Sequence, residues 1–218
     1  MHAIYTKNDI CNIIKIQSII RGFLVRNKNK QLKDCIGKKI LLHMLKIHII
    51  NHNLLDKVNK EIKDMSNKNG IKKCKICRHN NFPSHISENI AKFAIYKKYK
   101  IMPNWNTVNG DLTLCNRRIE IKAFSSKGPT SFGPTENWDY IYFVDCLDFT
   151  SYKFKIYELK FSNTSDIWSG IKLNKNDTYK DIVDKNQRGK LRSCFSSIYE
   201  QIKNHTNLIF DGHINDLF

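Results

Sequence analysis

Residues 110–122 read Gly-Asp-Leu-Thr-Leu-Cys-Asn-Arg-Arg-Ile-Glu-Ile-Lys. Leu112 to Cys115 and Arg118 to Phe124 alternate apolar with polar side chains, and Asn116-Arg117 between them has the length of a two-residue hairpin turn. With that turn, Cys115 faces Arg118, Thr113 faces Glu120 and Asp111 faces Lys122. Asp111, Glu120 and Lys122 then leave one face of the hairpin, and Leu112, Leu114, Ile119 and Ile121 leave the other. Two carboxylates and an ammonium converge.

That convergence suits metal-dependent phosphodiester cleavage. A phosphodiester is already anionic, so its charge opposes an attacking hydroxide. Carboxylates such as Asp111 and Glu120 hold a Mg²⁺ that keeps several waters, neutralises the phosphate and lowers the pKa of a bound water. A lysine alongside orients that water or stabilises developing charge. The competing reading is a solvated hairpin face on which a Glu-Lys pair means little.

Gly110-Asp111 followed by Glu120-Ile121-Lys122 resembles the PD-(D/E)xK nuclease signature, with Gly110 where Pro often stands. The run from Glu120 to Glu136, then Trp138-Asp139 and the apolar strand Tyr140 to Asp145, resembles small Type II restriction endonucleases of that superfamily, over about Cys74 to Ile202. The resemblance implies a mixed α/β (α+β) restriction-endonuclease-like core flanked by helices, with Asp111 and Glu120 as Mg²⁺ ligands and Lys122 as the catalytic lysine. It also implies a third carboxylate from the preceding helix, for which Glu88 is the candidate, and hydrolysis of double-stranded DNA to 5′-phosphate and 3′-hydroxyl ends. A symmetric site would be cut by a homodimer.

The chain has 218 residues, 41% hydrophobic and 11% aromatic, enough for one ordinary domain plus an extension. Its net charge is +17, which favours a polyanionic partner. Residues 1–73 hold sixteen Lys or Arg against five Asp or Glu, so most of the excess lies ahead of the hairpin. Seven irregularly spaced cysteines and an N-terminus without an apolar core predict a reduced intracellular compartment. The longest apolar stretch, Lys39 to Ile50, is broken by His43, Lys46 and His48 and is too short to span a bilayer. Heavy use of Asn, Lys and Ile suits an AT-rich genome, such as that of a large DNA virus.

Along the chain, residues 9–26 read as a basic amphipathic helix. Ile16-Gln17, Arg21-Gly22 and Arg26 match the IQ motif, which resembles helices gripped by calmodulin or related light chains, here at residues 13–26. The alternative is a helix packed on its own domain or lying along DNA. Residues 31–65 continue with helical spacing, with a break expected at Asn51-His52-Asn53, and the histidines there are read as surface or packed residues. Ser66-Asn-Lys-Asn-Gly70 reads as a linker, dividing a basic helical extension, 1–70, from a nuclease domain, 71–218.

Cys74, Cys77 and His79 supply half of a structural zinc pattern, with His85 as a further donor, against free thiols in a turn. A helix follows Pro83, with Ser84 or Ser87 as cap, Ile86, Ile90, Phe93 and Ala94 on its core stripe, and Glu88 in its first turn. After the hairpin, a loop from Ser125 to Glu136 offers Ser126, Lys127, Thr130 and Ser131 as DNA contacts near the scissile phosphate. Tyr140 to Asp145 reads as a buried strand, and residues 152–157 as an edge strand. A basic loop at 185–192, before a last helix near Phe195 to Lys203, offers Arg188, Lys190 and Arg192 to guanine or phosphate. Within enzymes, the alternative is a structure-specific or repair nuclease. Outside them, it is a non-catalytic basic DNA-binding or calmodulin-binding protein.

Overall fold

The structure is a computed structural model that describes residues 33–70, 81–106, 110–127, 129–132, 137–172, 175–184 and 191–218. The chain divides into two compact units, Met1–Ile40 and Leu41–Phe218. Of the first, only the opening of helix α1 lies among the described residues. The second holds the sheet and both of its hydrophobic layers.

Helix α1, Lys33–Lys68, runs unbroken through Asn51-His52-Asn53 and to the end of the expected linker, where Asn69 and Gly70 make the turn. The weak helix formers at 51–53 do not interrupt it, their propensity costing only a few tenths of a kcal/mol each. Leu41, Leu45 and Ile49 are buried one turn apart, His52 pairs with Asp56 at 3.2 Å, and its ring meets Phe149 edge-on. Helix α2, Ser84–Tyr99, starts on Pro83 in extended conformation with no side-chain cap, so neither serine caps it, and Ser87 instead donates back to the Ser84 carbonyl. Its expected stripe is buried, widened by Ala91 and Ile95.

The strands are β1 (Asn104–Trp105), β2 (Leu112–Leu114), β3 (Arg117–Phe124), β4 (Pro129–Phe132), β5 (Tyr140–Asp145), β6 (Lys153–Leu159), β7 (Leu191–Cys194) and β8 (Thr206–His213). Six of them form a mixed sheet in the order β1-β2-β3-β5-β6-β8, with only β3 and β5 parallel. The segment expected as an edge strand is β6, and it is interior because β8 pairs along its far side. Two short helices follow, α3 (Tyr179–Asp184) and α4 (Phe195–Ile202). Strands β4 and β7 pair with each other outside the main sheet, so the expected loops at 125–136 and 185–192 each contribute a strand. Among the described residues no helix is long and apolar enough to cross a membrane.

Alternation along the strands gives the sheet two apolar faces. Ile119, Ile121, Tyr142, Val144 and Ile156 face α2 and the Leu41–Ile49 side of α1. Phe124, Ile141, Phe143 and Leu159 pack under α4 and Trp168. Buried large side chains of this kind each contribute about 1.5–3 kcal/mol.

His48 sits at the edge of the first layer, 7% exposed, between Phe82 and Phe149 at 5.1 and 5.2 Å, and its Nε2 has no hydrogen-bond partner among the described residues. Burial, then the neighbouring His52 and His85, hold its pKa below the ordinary 6.5. The folded protein therefore resists a proton that the unfolded chain accepts, so stability is held above that ordinary value and declines as pH falls below it. The urea midpoint is expected to be lower at about pH 5.5 than at about pH 7.5, and His48→Phe to shrink that gap. Equal gaps in wild type and variant would contradict the assignment.

Candidate active site

The hairpin turn lies one residue earlier than the sequence suggests. Cys115 and Asn116 occupy it with φ of 48° and 63°, the pair of left-handed residues that a type I′ turn requires. Asn tolerates that conformation, and the shift spares Arg117, which starts β3. The observed pairs are Leu112 with Ile119, Thr113 with Arg118 and Leu114 with Arg117, so the expected pairings of Thr113 with Glu120 and Cys115 with Arg118 do not form.

Asp111 does not face Lys122 either. Its N–H donates to the Ile119 carbonyl at 2.9 Å, and its Oδ2 accepts the Ile121 N–H at 2.7 Å. The two bonds fall on either side of Glu120, so Asp111 is pinned to the backbone flanking the second carboxylate. Glu120 is 5% exposed and ion-paired with the Lys122 ammonium, as strand alternation allows for residues two apart. These contacts gather Asp111, Glu120 and Lys122 by a geometry different from the expected one.

Gly110 makes the approach possible. Its φ is +77°, and a Cβ there would lie 2.9 Å from the Ile119 carbonyl oxygen. Proline, fixed near −65°, cannot adopt this backbone, which accounts for Gly at this position. Gly110→Ala is expected to cost about 1–3 kcal/mol through the strained φ and the clash, and to lower activity by displacing Asp111. An unchanged melting temperature would contradict this.

Glu88 lies on α2 one turn deeper than expected, since the first turn holds no acidic residue. It is half-buried, and its carboxyl is pushed above the usual range first by burial and then by the Asp111 charge, with a Ser84 hydrogen bond and Lys122 pulling the other way. It therefore stands within electrostatic reach of both Asp111 and Lys122. Beside the site, Arg118 holds Asp139 through two side-chain bonds of 3.2 and 3.3 Å and a backbone N–H at 2.7 Å, which keep the Asp139 carboxyl below its ordinary value. This bracket locks the start of β5 to β3. Alternating charge gave no sign of it, because it depends on the parallel pairing.

Carboxylate oxygens are donors for a hard cation. Among the described residues no group of three or more His, Cys, Asp or Glu is gathered as an all-protein cage would be. Asp111 and Glu120 are donors of the kind that a hard divalent cation takes, one or two carboxylates with water and phosphate oxygens in its remaining positions.

Of the expected DNA contacts, Ser126 and Lys127 are exposed in the bend after β3, Thr130 and Ser131 lie in β4, and Arg192 lies in β7. Arg188 and Lys190, the Cys74, Cys77 and His79 cluster and the IQ-like segment lie outside the described residues.

A family model described as the Bsp6I restriction endonuclease matches residues 46–204, most of the chain. The chain belongs to the Bsp6I restriction endonuclease family. The matched span contains Glu88, Asp111, Glu120, Lys122 and both strands of the β4–β7 ribbon, and membership in this family makes the chain a nuclease of the restriction type. A model of the IQ calmodulin-binding motif matches residues 10–28. No curated protein and no solved structure gives a match.

Proposed function

We propose that this family member is a Mg²⁺-dependent Type II restriction endonuclease of the PD-(D/E)xK kind, which cuts double-stranded DNA at a short specific sequence. The observation that carries the reading is the pinning of Asp111 to the backbone on both sides of Glu120, with Lys122 paired to Glu120. Asp111 and Glu120 would hold the ion. When bound, Mg²⁺ supplies charge neutralisation at the phosphate and a more acidic water.

The chain's own residues do the rest. Lys122, two positions along the strand from Glu120, orients the attacking water and meets the negative charge that grows on the non-bridging oxygens. Glu88, half-buried on α2 and within electrostatic reach of Asp111 and Lys122, would add a carboxylate to the edge of the site. Water oxygen bonds to phosphorus, the bond from phosphorus to the 3′-oxygen breaks, and that oxygen takes up a proton while the water gives one up. The products are 5′-phosphate and 3′-hydroxyl ends. A homodimer would bring two such centres to a symmetric site. The basic segment at 13–26 would bind an acidic, calmodulin-like light chain through its apolar stripe and arginines.

Nicking and linearisation of plasmid DNA by the full chain test the reading. Cutting is expected with Mg²⁺ and not with EDTA, and Asp111→Asn is expected to remove it while the protein stays folded. Undiminished cutting by Asp111→Asn would refute the assignment of the site.

A further inference from the structure

The chain has three tryptophans, and two of them, Trp138 and Trp168, are buried in the second apolar layer. The third, Trp105, is 39% exposed. It closes β1, the first strand in the sheet order, and pairs with Leu112, so its side chain leaves on the face that α2 covers. From that side the Lys92 ammonium lies over its ring, 4.9 Å from the centroid. An indole is among the largest apolar groups a fold can bury, yet this one is held at the sheet edge and meets solvent.

Its surroundings place the pair beside the candidate carboxylates. Leu112, the partner of Trp105, directly follows Asp111, and the N–H of Asn106, directly after Trp105, donates to the Asp111 carbonyl at 3.1 Å. Lys92 stands one helical turn along α2 from Glu88, which is within electrostatic reach of Asp111 and Lys122. Trp105 is thus tied to one acidic residue of the site through β1, and Lys92 to another through α2. Between Glu88 and Asp111 the sequence holds four lysines, Lys92, Lys97, Lys98 and Lys100, and no Asp or Glu. The acidic site therefore has a basic, aromatic margin on this side.

The chemistry of that margin suits a DNA backbone. An ammonium is a compact charge for a phosphate, and an indole joins a flat apolar body, which packs on a deoxyribose, to one N–H donor for a phosphate oxygen. Contacts of this kind fix the register of a protein on duplex DNA without reading its sequence. We propose that Trp105 and Lys92 form a clamp for the DNA backbone next to the scissile phosphate, with the indole against a deoxyribose and the ammonium on a phosphate. The proposal rests on the DNA-cleavage reading above. An indole that only covers the edge of the α2 layer would meet solvent equally with and without DNA.

Because the other two tryptophans are buried, acrylamide quenching of the intrinsic fluorescence of the full chain reports on Trp105. The probe is double-stranded plasmid DNA, with EDTA present so that it stays uncut. DNA is expected to lower the wild-type quenching constant, and Trp105→Phe to remove most of the quenching with or without DNA. Trp105→Ala should weaken DNA binding about tenfold, and Lys92→Gln should reduce the slope of log affinity against log salt by about one. Both variants should keep the wild-type sequence at the cut when Mg²⁺ is supplied. A wild type that binds and cuts DNA with its quenching unchanged, or variants with the wild-type affinity and salt slope, would overturn the clamp and leave the nuclease reading intact. A changed sequence at the cut in either variant would make the pair a base reader and overturn the clamp as well. A folded wild type that neither binds nor cuts DNA would overturn both readings.

Discussion

Glu120→Gln is expected to lower the cleavage rate by about three orders of magnitude, the scale seen when one preorganised charge-stabilising group is removed from an active site. The substitution preserves side-chain shape, so the effect isolates charge. Glu120 is nearly buried, its strand is bonded to Asp111 on either side, and it holds the Lys122 ammonium. The neutral amide is a weaker ligand for a hard cation and removes the counter-charge that orients Lys122. Because the hairpin is held by its backbone register and by Leu112, Ile119 and Ile121, thermal unfolding should move by only a few degrees. Activity within about tenfold of wild type, from folded protein, would remove Glu120 from the mechanism.

Glu158→Ala carries the largest expected loss of stability, about 3 kcal/mol or more, with a melting temperature lower by about 6–12 °C. Glu158 is 1% exposed, yet its carboxylate is well satisfied. It accepts from the hydroxyls of Tyr99, at 2.7 Å to both oxygens, and Tyr142, from Asn207 at 3.5 Å, and lies 3.6 Å from the Lys160 ammonium. Those partners come from the end of α2, from β5, from the residue following β6 and from β8, so one side chain joins four segments. Burial and the carboxylate hold the Tyr99 hydroxyl, and far more strongly that of Tyr142, in the protonated donor form. Alanine would remove the carboxylate that two tyrosine hydroxyls share and leave a void where Glu158 is buried. Tyr142→Phe, which removes one donor and keeps the ring, should cost about 1 kcal/mol. Denaturant midpoints give both values, and a Glu158→Ala protein as stable as Tyr142→Phe would contradict the network account. Tyr142 is the β5 neighbour of Ile121, so the same network braces the strand that presents Glu120 and Lys122.

That Asp111, Glu120 and Lys122 lie together was legible in the sequence because the information that places them is local. Moving the turn by one residue changes each partner by two, from Glu120 to Arg118 opposite Thr113, and a shift of two keeps every side chain on its own face. The separation of Glu120 and Lys122 from Ile119 and Ile121 therefore survives an incorrect register. What was not legible is non-local. Strands β4 and β7 lie some sixty residues apart in the chain and are too short to announce themselves, and β8 turns the apparent edge strand β6 into an interior one. Helix α1 continues through 51–53, where Asn51 and Asn53 are exposed, because residues of weak helix propensity do not by themselves end a helix. The Gly110 substitution could be noticed in the sequence, but its reason, the Ile119 carbonyl under its α-carbon, required the fold.

The most direct test is to incubate the wild-type full chain with unmethylated plasmid DNA, with Mg²⁺ and in parallel with EDTA, and to sequence the ends of every fragment. The account predicts discrete fragments in the Mg²⁺ arm alone, each with a 5′-phosphate and all sharing one short sequence at the cut. Intact DNA in the Mg²⁺ arm from demonstrably folded protein, or equal cutting in EDTA, would contradict it.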